Sequence, residues 1–308
     1  MLFGSLFQKS ELLPGRARFP CLPEGDTSTN SALQNSRSRV NVIQYTCLRG
    51  QAGKKFGSVV SMSYNFFTPQ EQIPPGLGFS LYGPQHLLWL AGIALGIILL
   101  CRVCRRLDRP ARRRLFLILC LCALGLDMVW DLSLLLTGRF TLNYLPFDLC
   151  GLAMFAELWW ALHPRPLIGE LCWCLFLPGA AAALLFPNWT PLPFWNLLYL
   201  RSFLLHGFLV AVPVLAVASG DIRPDPRRLP RCFTAALLLC VPVYWFDKTF
   251  HQNFFFLSEP SPGSPLEIFA AWWGEPGYLF GLPLLLLAVW VLLYGTSAAR
   301  KQLKCRKK

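Results

Sequence analysis

Charged side chains are scarce in this chain of 308 residues, at 15% of the total against 54% hydrophobic residues. Together with a positive mean hydropathy, this composition excludes an ordinary soluble protein and is typical of polytopic membrane proteins. Acidic residues are particularly few, 16 against 29 lysines and arginines. The basic residues form short runs between apolar stretches, so we interpret them as determinants of membrane topology and expect no nucleic-acid partner.

The sequence also lacks the patterns of a metal centre and of a disulfide framework. Its four histidines include no pair at the spacing of helical metal ligands. Most of its twelve cysteines lie in or at the ends of apolar segments, where cysteine behaves as a small hydrophobic residue. We therefore expect few or no disulfides, no bound metal and no other cofactor.

The first sixty residues do not resemble the rest of the chain. Residues 1–61 are rich in Ser, Gly, Gln, Asn and Arg, show no sustained periodicity and lack the apolar core of a signal peptide. We expect this segment to be disordered or to be a wrongly assigned extension, with Met62 as the true start. The predicted domains are then a membrane domain at residues 62–299 and a basic cytoplasmic tail at residues 300–308.

Seven apolar segments are each long enough to cross about 30 Å of hydrocarbon as a helix. They predict an all-α fold, a bundle of seven transmembrane helices, at residues 85–104, 115–136, 146–163, 167–186, 194–218, 232–250 and 278–296. Almost all loop arginines and lysines fall in alternate connections and in the C-terminal tail. The positive-inside rule therefore predicts an outside N-terminus and a cytoplasmic C-terminus.

Most of the polar residues within these segments fall at one depth, toward the predicted outer side. Ionisable groups in hydrocarbon are costly, so a cluster at one depth predicts a polar cavity open to the outer leaflet. The candidate members are His86, Asp127, Asp131, Asp148, Cys150, Arg201, His206 and Asp247.

The segment LPFDLCG, residues 145–151, predicts a cysteine at the start of the third membrane helix. Pro146 suits the first helical position, which puts Asp148 in the first turn and Cys150 about one turn into the helix. The positive end of the helix dipole favours a thiolate there, so Cys150 is a candidate nucleophile. His206 lies near the middle of a largely apolar helix and could take the proton of a thiol, since a neutral imidazole is a base.

Each of these residues also has a structural interpretation. Cys150 could be one buried cysteine among many, and Arg201 could neutralise Asp127 or Asp131 as an interhelical ion pair. His86 could simply begin a helix, and Asp247 could be solvated at the membrane interface. The sequence leaves these alternatives open.

Several segments resemble the YwaF-type family of bacterial integral membrane proteins, which is related to an animal membrane acyltransferase of ether-phospholipid remodelling. The resemblance extends from Met62 to about Glu267 and is carried by FFTPQEQIPPGLGFSLYGPQHLLWL, LPFDLCG, LPGAAAALLFPNW, RSFLLHG and the NFFFLSEP and SPLE parts of one loop. It implies a catalytic Cys and His, for which Cys150 and His206 correspond best. It also implies a phospholipid or lysophospholipid partner and a place in the bacterial cytoplasmic membrane.

The leading hypothesis is an intramembrane acyltransferase or hydrolase, in which the Cys150 thiolate attacks a phospholipid ester and His206 acts as base. A non-enzymatic protein that binds or transports lipids or small molecules would explain the polar cavity without a nucleophile. A third hypothesis is a seven-span zinc hydrolase with ligands from His86, His206, His251 and Asp127. The histidine spacing and a seventh span without histidine argue against this last hypothesis.

Overall fold

The structure, a computed structural model, describes residues 41–46, 59–261 and 264–306. Its helices are α1 Pro84–Cys104, α2 Arg109–Leu136, α3 Leu149–Leu162, α4 Pro166–Leu171, α5 Leu177–Leu185, α6 Leu197–Ser219, α7 Leu229–Phe250, α8 Pro265–Gly277 and α9 Gly281–Arg306. A π-helical segment, Cys172–Phe176, joins α4 to α5. α6 lies at the centre of the bundle and contacts α1, α2, α3 and α5.

Seven segments among the described residues are long and apolar enough to span a membrane. This confirms the prediction of an all-helical membrane domain with seven spans. Their bounds are Pro84–Cys104, Arg109–Leu136, Leu142–Leu162, Pro166–Leu185, Leu197–Ser219, Pro226–Phe250 and Pro265–Gly295.

A two-stranded antiparallel hairpin, which the sequence did not predict, precedes the membrane domain. β1, Asn41–Thr46, pairs with β2, Val59–Tyr64. The expected boundary at Met62 falls inside β2, where Met62 pairs with Ile43. The two strands satisfy each other's backbone hydrogen bonds, and the disordered or wrongly assigned extension at residues 1–61 stays a prediction. Residues 1–40 and 47–58 lie outside the described residues.

The C-terminal part of the chain differs from the prediction at both ends of its last helix. The structure adds α8, which we had expected to be part of a loop, and α9 continues through most of the expected tail to Arg306. Ser264 caps α8 by accepting the Leu266 N–H. The backbone leaves helical geometry at Gly274, whose φ of +66° suits glycine. This break divides the apolar run, so only its second half had the length of a predicted span.

The π-helical segment has a direct cause in the sequence. Pro178 has no N–H with which to bond the carbonyl of Cys174, four residues earlier. Trp290 on α9 donates its indole Nε1–H to that carbonyl at 2.8 Å. A helical irregularity thus becomes an attachment point between the fourth and seventh spans.

Charged contacts join several connections at one end of the bundle. Arg112 donates to both oxygens of Asp221, at 2.7 and 3.1 Å, and Arg113 donates to the carbonyl of Ala161 at 2.9 Å. Partial burial pushes the pKa of Asp221 up, but the hydrogen bonds from Arg112 and Ser219 outweigh it and hold that pKa below its ordinary value. The connections that follow α1, α3 and α6 therefore meet at this end.

A fully buried carboxylate strengthens the same end. Glu170 on α4 accepts hydrogen bonds from the Tyr294 hydroxyl, from Arg228 Nη1 at 3.0 Å and from the Asp225 N–H at 3.1 Å. Its partners come from α9 and from the connection that leads into α7. The single side chain of Glu170 thus ties the fourth span to the sixth and the seventh.

The opposite end is closed by the segment that leads into α1. Asn196, the N-cap of α6, donates its side-chain amide to the Thr68 carbonyl at 2.8 Å. The Phe79 N–H donates to the Thr190 carbonyl at 2.9 Å. These bonds place the connections before α1 and before α6 together, at the end where the sequence also concentrates its polar residues.

Candidate functional site

A cavity of about 1610 Å³ opens among the second to seventh spans. Its walls are mostly apolar side chains of α5, α6, α7 and α9. The cavity is larger than the roughly 300–1,000 Å³ of typical small-molecule sites. Its lining includes seven of the eight predicted site residues, namely Asp127, Asp131, Asp148, Cys150, Arg201, His206 and Asp247.

Cys150 lies closer to its helix end than the sequence predicted. α3 begins at Leu149, and Asp148 is the N-cap, whose carboxylate accepts the Gly151 N–H. We had expected Pro146 in the first helical position, but the backbone is extended at Leu145 and at Asp148, so the helix starts three residues later. Asp148 has the better N-cap side chain, and this preference overrides that of proline for the first position.

Gly151 allows the turn before α3 to fold back onto the helix. A Cβ on residue 151 would lie 2.7 Å from the carbonyl oxygen of Pro146 and 2.8 Å from its Cα. Only glycine fits this approach without a shift of the backbone. The residue pattern of LPFDLCG therefore fixes the position of the Cys150 backbone between a capped helix start and a tightly packed turn.

His206 is held on the α6 side of the cavity with a defined tautomer. Its Nδ1 lies 2.6 Å from the carbonyl oxygen of Ser202, one helical turn earlier. A carbonyl oxygen can only accept, so Nδ1 carries the hydrogen and Nε2 holds the lone pair of the neutral ring. α3 packs against α6, as side-by-side placement of Cys150 and His206 requires. The imidazole is therefore prepared to accept a proton at Nε2.

Arg201 forms the ion pair that the structural interpretation of this residue predicts. Its Nε donates to Asp127 Oδ1 at 3.0 Å, and its Nη2 contacts the same oxygen. Asp131 lies one turn beyond Asp127 on α2 and also lines the cavity. Arg201 lines the cavity as well, so the ion pair holds a guanidinium at the cavity wall.

Asp247 lies near the end of α7 and is almost fully buried. Its Oδ1 accepts the Phe254 N–H at 3.1 Å, which fixes the loop that follows α7. Its Oδ2 is buried and has no hydrogen-bond partner within the described part of the chain. This burial does not fit the solvated side chain that the structural interpretation of Asp247 considered.

His86 is the predicted site residue that does not line the cavity. Its Nδ1 accepts the Tyr82 N–H at 3.0 Å, so its Nε2 carries the hydrogen and donates to the Leu184 carbonyl at 2.7 Å. Both ring nitrogens are thus used by the backbone. This arrangement matches the structural interpretation of His86 and leaves it no lone pair for a metal.

The described residues contain no group of three or more His, Cys, Asp or Glu side chains arranged to hold a metal ion. The ligand set considered for a zinc hydrolase is therefore not brought together. His206 and His251 line the cavity, but His86 is committed elsewhere.

The sequence reasoning did not single out Trp189, which contacts His206 directly. The indole stacks on the imidazole with a centroid distance of 5.1 Å and an interplanar angle of 22°. Trp189 follows α5 in the segment LFPNW, and nothing in its spacing indicated a partner on α6. A ring contact between distant parts of the chain becomes visible only in the fold.

Comparison with known proteins gives one match. The model of the TMEM164 family matches residues 81–294, which is more than half of the chain and includes all eight candidate site residues. No curated protein and no solved structure matches this chain. The YwaF-type relationship thus remains a resemblance carried by the quoted segments. With seven spans and a family match over most of its length, the chain belongs to the TMEM164 family, a family of membrane proteins.

Proposed function

We propose that the protein is an intramembrane acyltransferase that uses Cys150 as nucleophile and His206 as base. One observation carries the proposal: a cysteine at a helix start and a histidine with its lone pair on Nε2 line the same cavity. The lining of the cavity is mostly apolar, which suits an acyl chain, and the polar side chains of Asp148 and Arg201 line it together with the cysteine. The phospholipid substrate comes from the sequence resemblance.

The reaction divides into two transfers. Cys150 Sγ attacks the ester carbonyl carbon while His206 Nε2 takes the thiol proton. The C–O bond then breaks, the imidazolium returns the proton to the leaving oxygen, and a lysophospholipid departs from a thioester. A hydroxyl of a second lysolipid, or water, attacks the thioester, and its proton passes through His206 to the sulfur. The final acceptor decides between transfer and hydrolysis.

The negative charge that develops on the ester oxygen needs a donor. Two groups are candidate donors, the guanidinium of Arg201 and the first N–H groups of α3. The Gly151 N–H is taken by Asp148, which removes one donor at the helix end. Arg201 lines the cavity while paired to a single oxygen of Asp127. We therefore assign oxyanion stabilisation to Arg201, and its loss would lower the rate by about a hundredfold or more.

The test is acyl transfer by purified full-length protein in vesicles, with phospholipid labelled in one acyl chain and unlabelled lysophospholipid as acceptor. We expect labelled product from the parent chain, none from Cys150→Ala, and formation at least a hundredfold slower in His206→Ala. Cys240→Ala is the matched control because Cys240 also lines the cavity. Cys172 and Cys240 both lie in apolar spans, where cysteine behaves as a small hydrophobic residue. Cys172 is fully buried, whereas Cys240 is only partly so.

Two outcomes would overturn the proposal. Activity that persists in Cys150→Ala would exclude the acyl-enzyme. Movement of labelled phospholipid between leaflets without any cleavage would favour a binding or transport protein instead, since a charged cavity also suits a substrate pathway.

A further inference from the structure

Trp189 is a buried aromatic residue that the proposed chemistry leaves without a role. It lines the cavity, is 5% exposed and stacks nearly parallel on the imidazole of His206. An aromatic face carries partial negative charge and attracts a cation placed over it. The ring of His206 is neutral at rest, but it becomes a cation whenever Nε2 takes a proton.

The orientation of Trp189 is fixed by other rings. Phe203 meets it edge to face, with centroids 5.4 Å apart and an angle of 86°. Trp89 on α1 in turn stacks on Phe203 at 5.0 Å and 6°. The indole Nε1 of Trp189 is buried and finds no hydrogen-bond partner among the residues that the structure describes. Ring contacts and apolar packing therefore hold this side chain.

Two contacts then define the plane of the imidazole. The Ser202 carbonyl accepts the Nδ1–H of His206, and the indole face of Trp189 limits rotation of the imidazole about its Cβ–Cγ bond. With both in place, Nε2 keeps one direction as its proton comes and goes. The charged group nearest to His206 on its own helix is Arg201, which opposes a second positive charge, while Asp148 also lines the cavity. A cation formed at His206 thus needs local stabilisation.

We propose that Trp189 is a positioning residue that holds the His206 ring and stabilises its imidazolium form by a cation–π interaction. This inference rests on the proposed function, since it assigns Trp189 a part in the proton transfer from Cys150. Trp189 need not touch the reacting atoms, because it acts through His206.

The first experiment measures the rate at which a lipid-like thiol-reactive probe labels Cys150 in the full-length protein in vesicles. Trp189→Leu removes the ring face and should slow labelling by about two- to thirtyfold. Trp189→Phe keeps a face and abandons no hydrogen bond, so its rate should return to within about threefold of the parent. Trp272→Leu is the control, because Trp272 contacts Phe269 and Trp273 and has no part in the ring stack that holds Trp189; its rate should stay within about twofold of the parent.

The second experiment keeps the fold intact and changes only the charge on the ring. Site-specific replacement of Trp189 by tryptophans with one to four ring fluorines withdraws electron density from the face with little change in shape. The logarithm of the labelling rate should fall steadily with fluorine number. A purely structural role predicts a flat response, and a flat response would overturn the proposal even if Trp189→Leu fails to fold.

The two failures can be told apart. If Cys150 in His206→Ala is labelled as fast as in the parent chain, His206 is not the base and the proposed function fails. If His206→Ala is slow while Trp189→Leu and the fluorinated series match the parent, only the role of Trp189 is wrong.

Discussion

Removal of the Glu170 carboxylate should destabilise the whole bundle. Glu170 is fully buried and accepts from Tyr294, from Arg228 and from the Asp225 N–H. Truncation to alanine leaves the buried Tyr294 hydroxyl without its acceptor, at about 1–3 kcal/mol, and the partly buried Asp225 N–H without its acceptor, at the lower end of that range. Arg228 is 31% exposed, so water recovers part of its charge. We therefore expect Glu170→Ala to lower the free energy of unfolding by about 3–5 kcal/mol, as for other broken buried ion pairs.

The assay is reversible unfolding of full-length protein in mixed micelles with increasing SDS, followed by tryptophan fluorescence. Glu170→Gln keeps an acceptor oxygen and the side-chain volume, so it should cost only about 1–2 kcal/mol. Glu259→Ala is the control, since Glu259 is exposed; it should stay within about 0.5 kcal/mol of the parent. If Glu170→Ala unfolds like Glu259→Ala, the three-span attachment does not contribute to stability and the reasoning is refuted.

Three further predictions concern other parts of the chain. Arg112 holds the pKa of Asp221 below its ordinary value. The Asp221 carboxylate therefore stabilises the fold above its unfolded-state pKa of about 4, and this stabilisation is lost as the pH falls through the lower folded-state pKa. Asp221→Asn should remove this pH dependence from acid unfolding curves. Gly151→Ala should lower the free energy of unfolding by about 1–3 kcal/mol by overpacking the preceding turn, and it should slow probe labelling at Cys150. Unchanged thermal unfolding and labelling would contradict the close approach of residue 151 to Pro146. Impermeant thiol reagents applied from outside should label Glu259→Cys and spare Arg106→Cys, and the opposite pattern would reverse the predicted topology.

Hydropathy and length predicted all seven spans because each contains an apolar run long enough to cross the hydrocarbon as a helix. The prediction missed α8, where Gly274 and the residues after it break an apolar stretch into two pieces. It also missed the hairpin of β1 and β2, because the alternation of apolar and polar residues in β2 covers only residues 60–64 and β1 does not continue it. The start of α3 moved because two preferences compete within three residues, that of Pro146 for the first turn and that of Asp148 for the cap. Local signals identify the elements, and their competition decides the boundaries.

The depth of charged residues along the spans was enough to bring seven candidates to one cavity. The depth could not show that His86 lies outside the cavity, because both of its ring nitrogens bond to backbone groups of α5 and of the turn before α1. Nor could it identify the contact between Trp189 and His206, because ring stacking leaves no periodic trace in a sequence. Pairings between distant segments depend on packing, which a single sequence does not encode locally.

The central claim, an acyl-enzyme at Cys150, is tested most directly by intact-protein and peptide mass spectrometry after a brief incubation of full-length protein with phospholipid. We expect the peptide that contains Cys150 to gain the mass of one acyl chain. Neutral hydroxylamine should remove this acyl chain, and Cys150→Ala should not acquire it. We further expect that His206→Ala forms this adduct at least a hundredfold more slowly, the lower end of what a general base contributes. Lipid turnover without any adduct at Cys150, or with the acyl chain on another cysteine such as Cys240, would contradict the central claim.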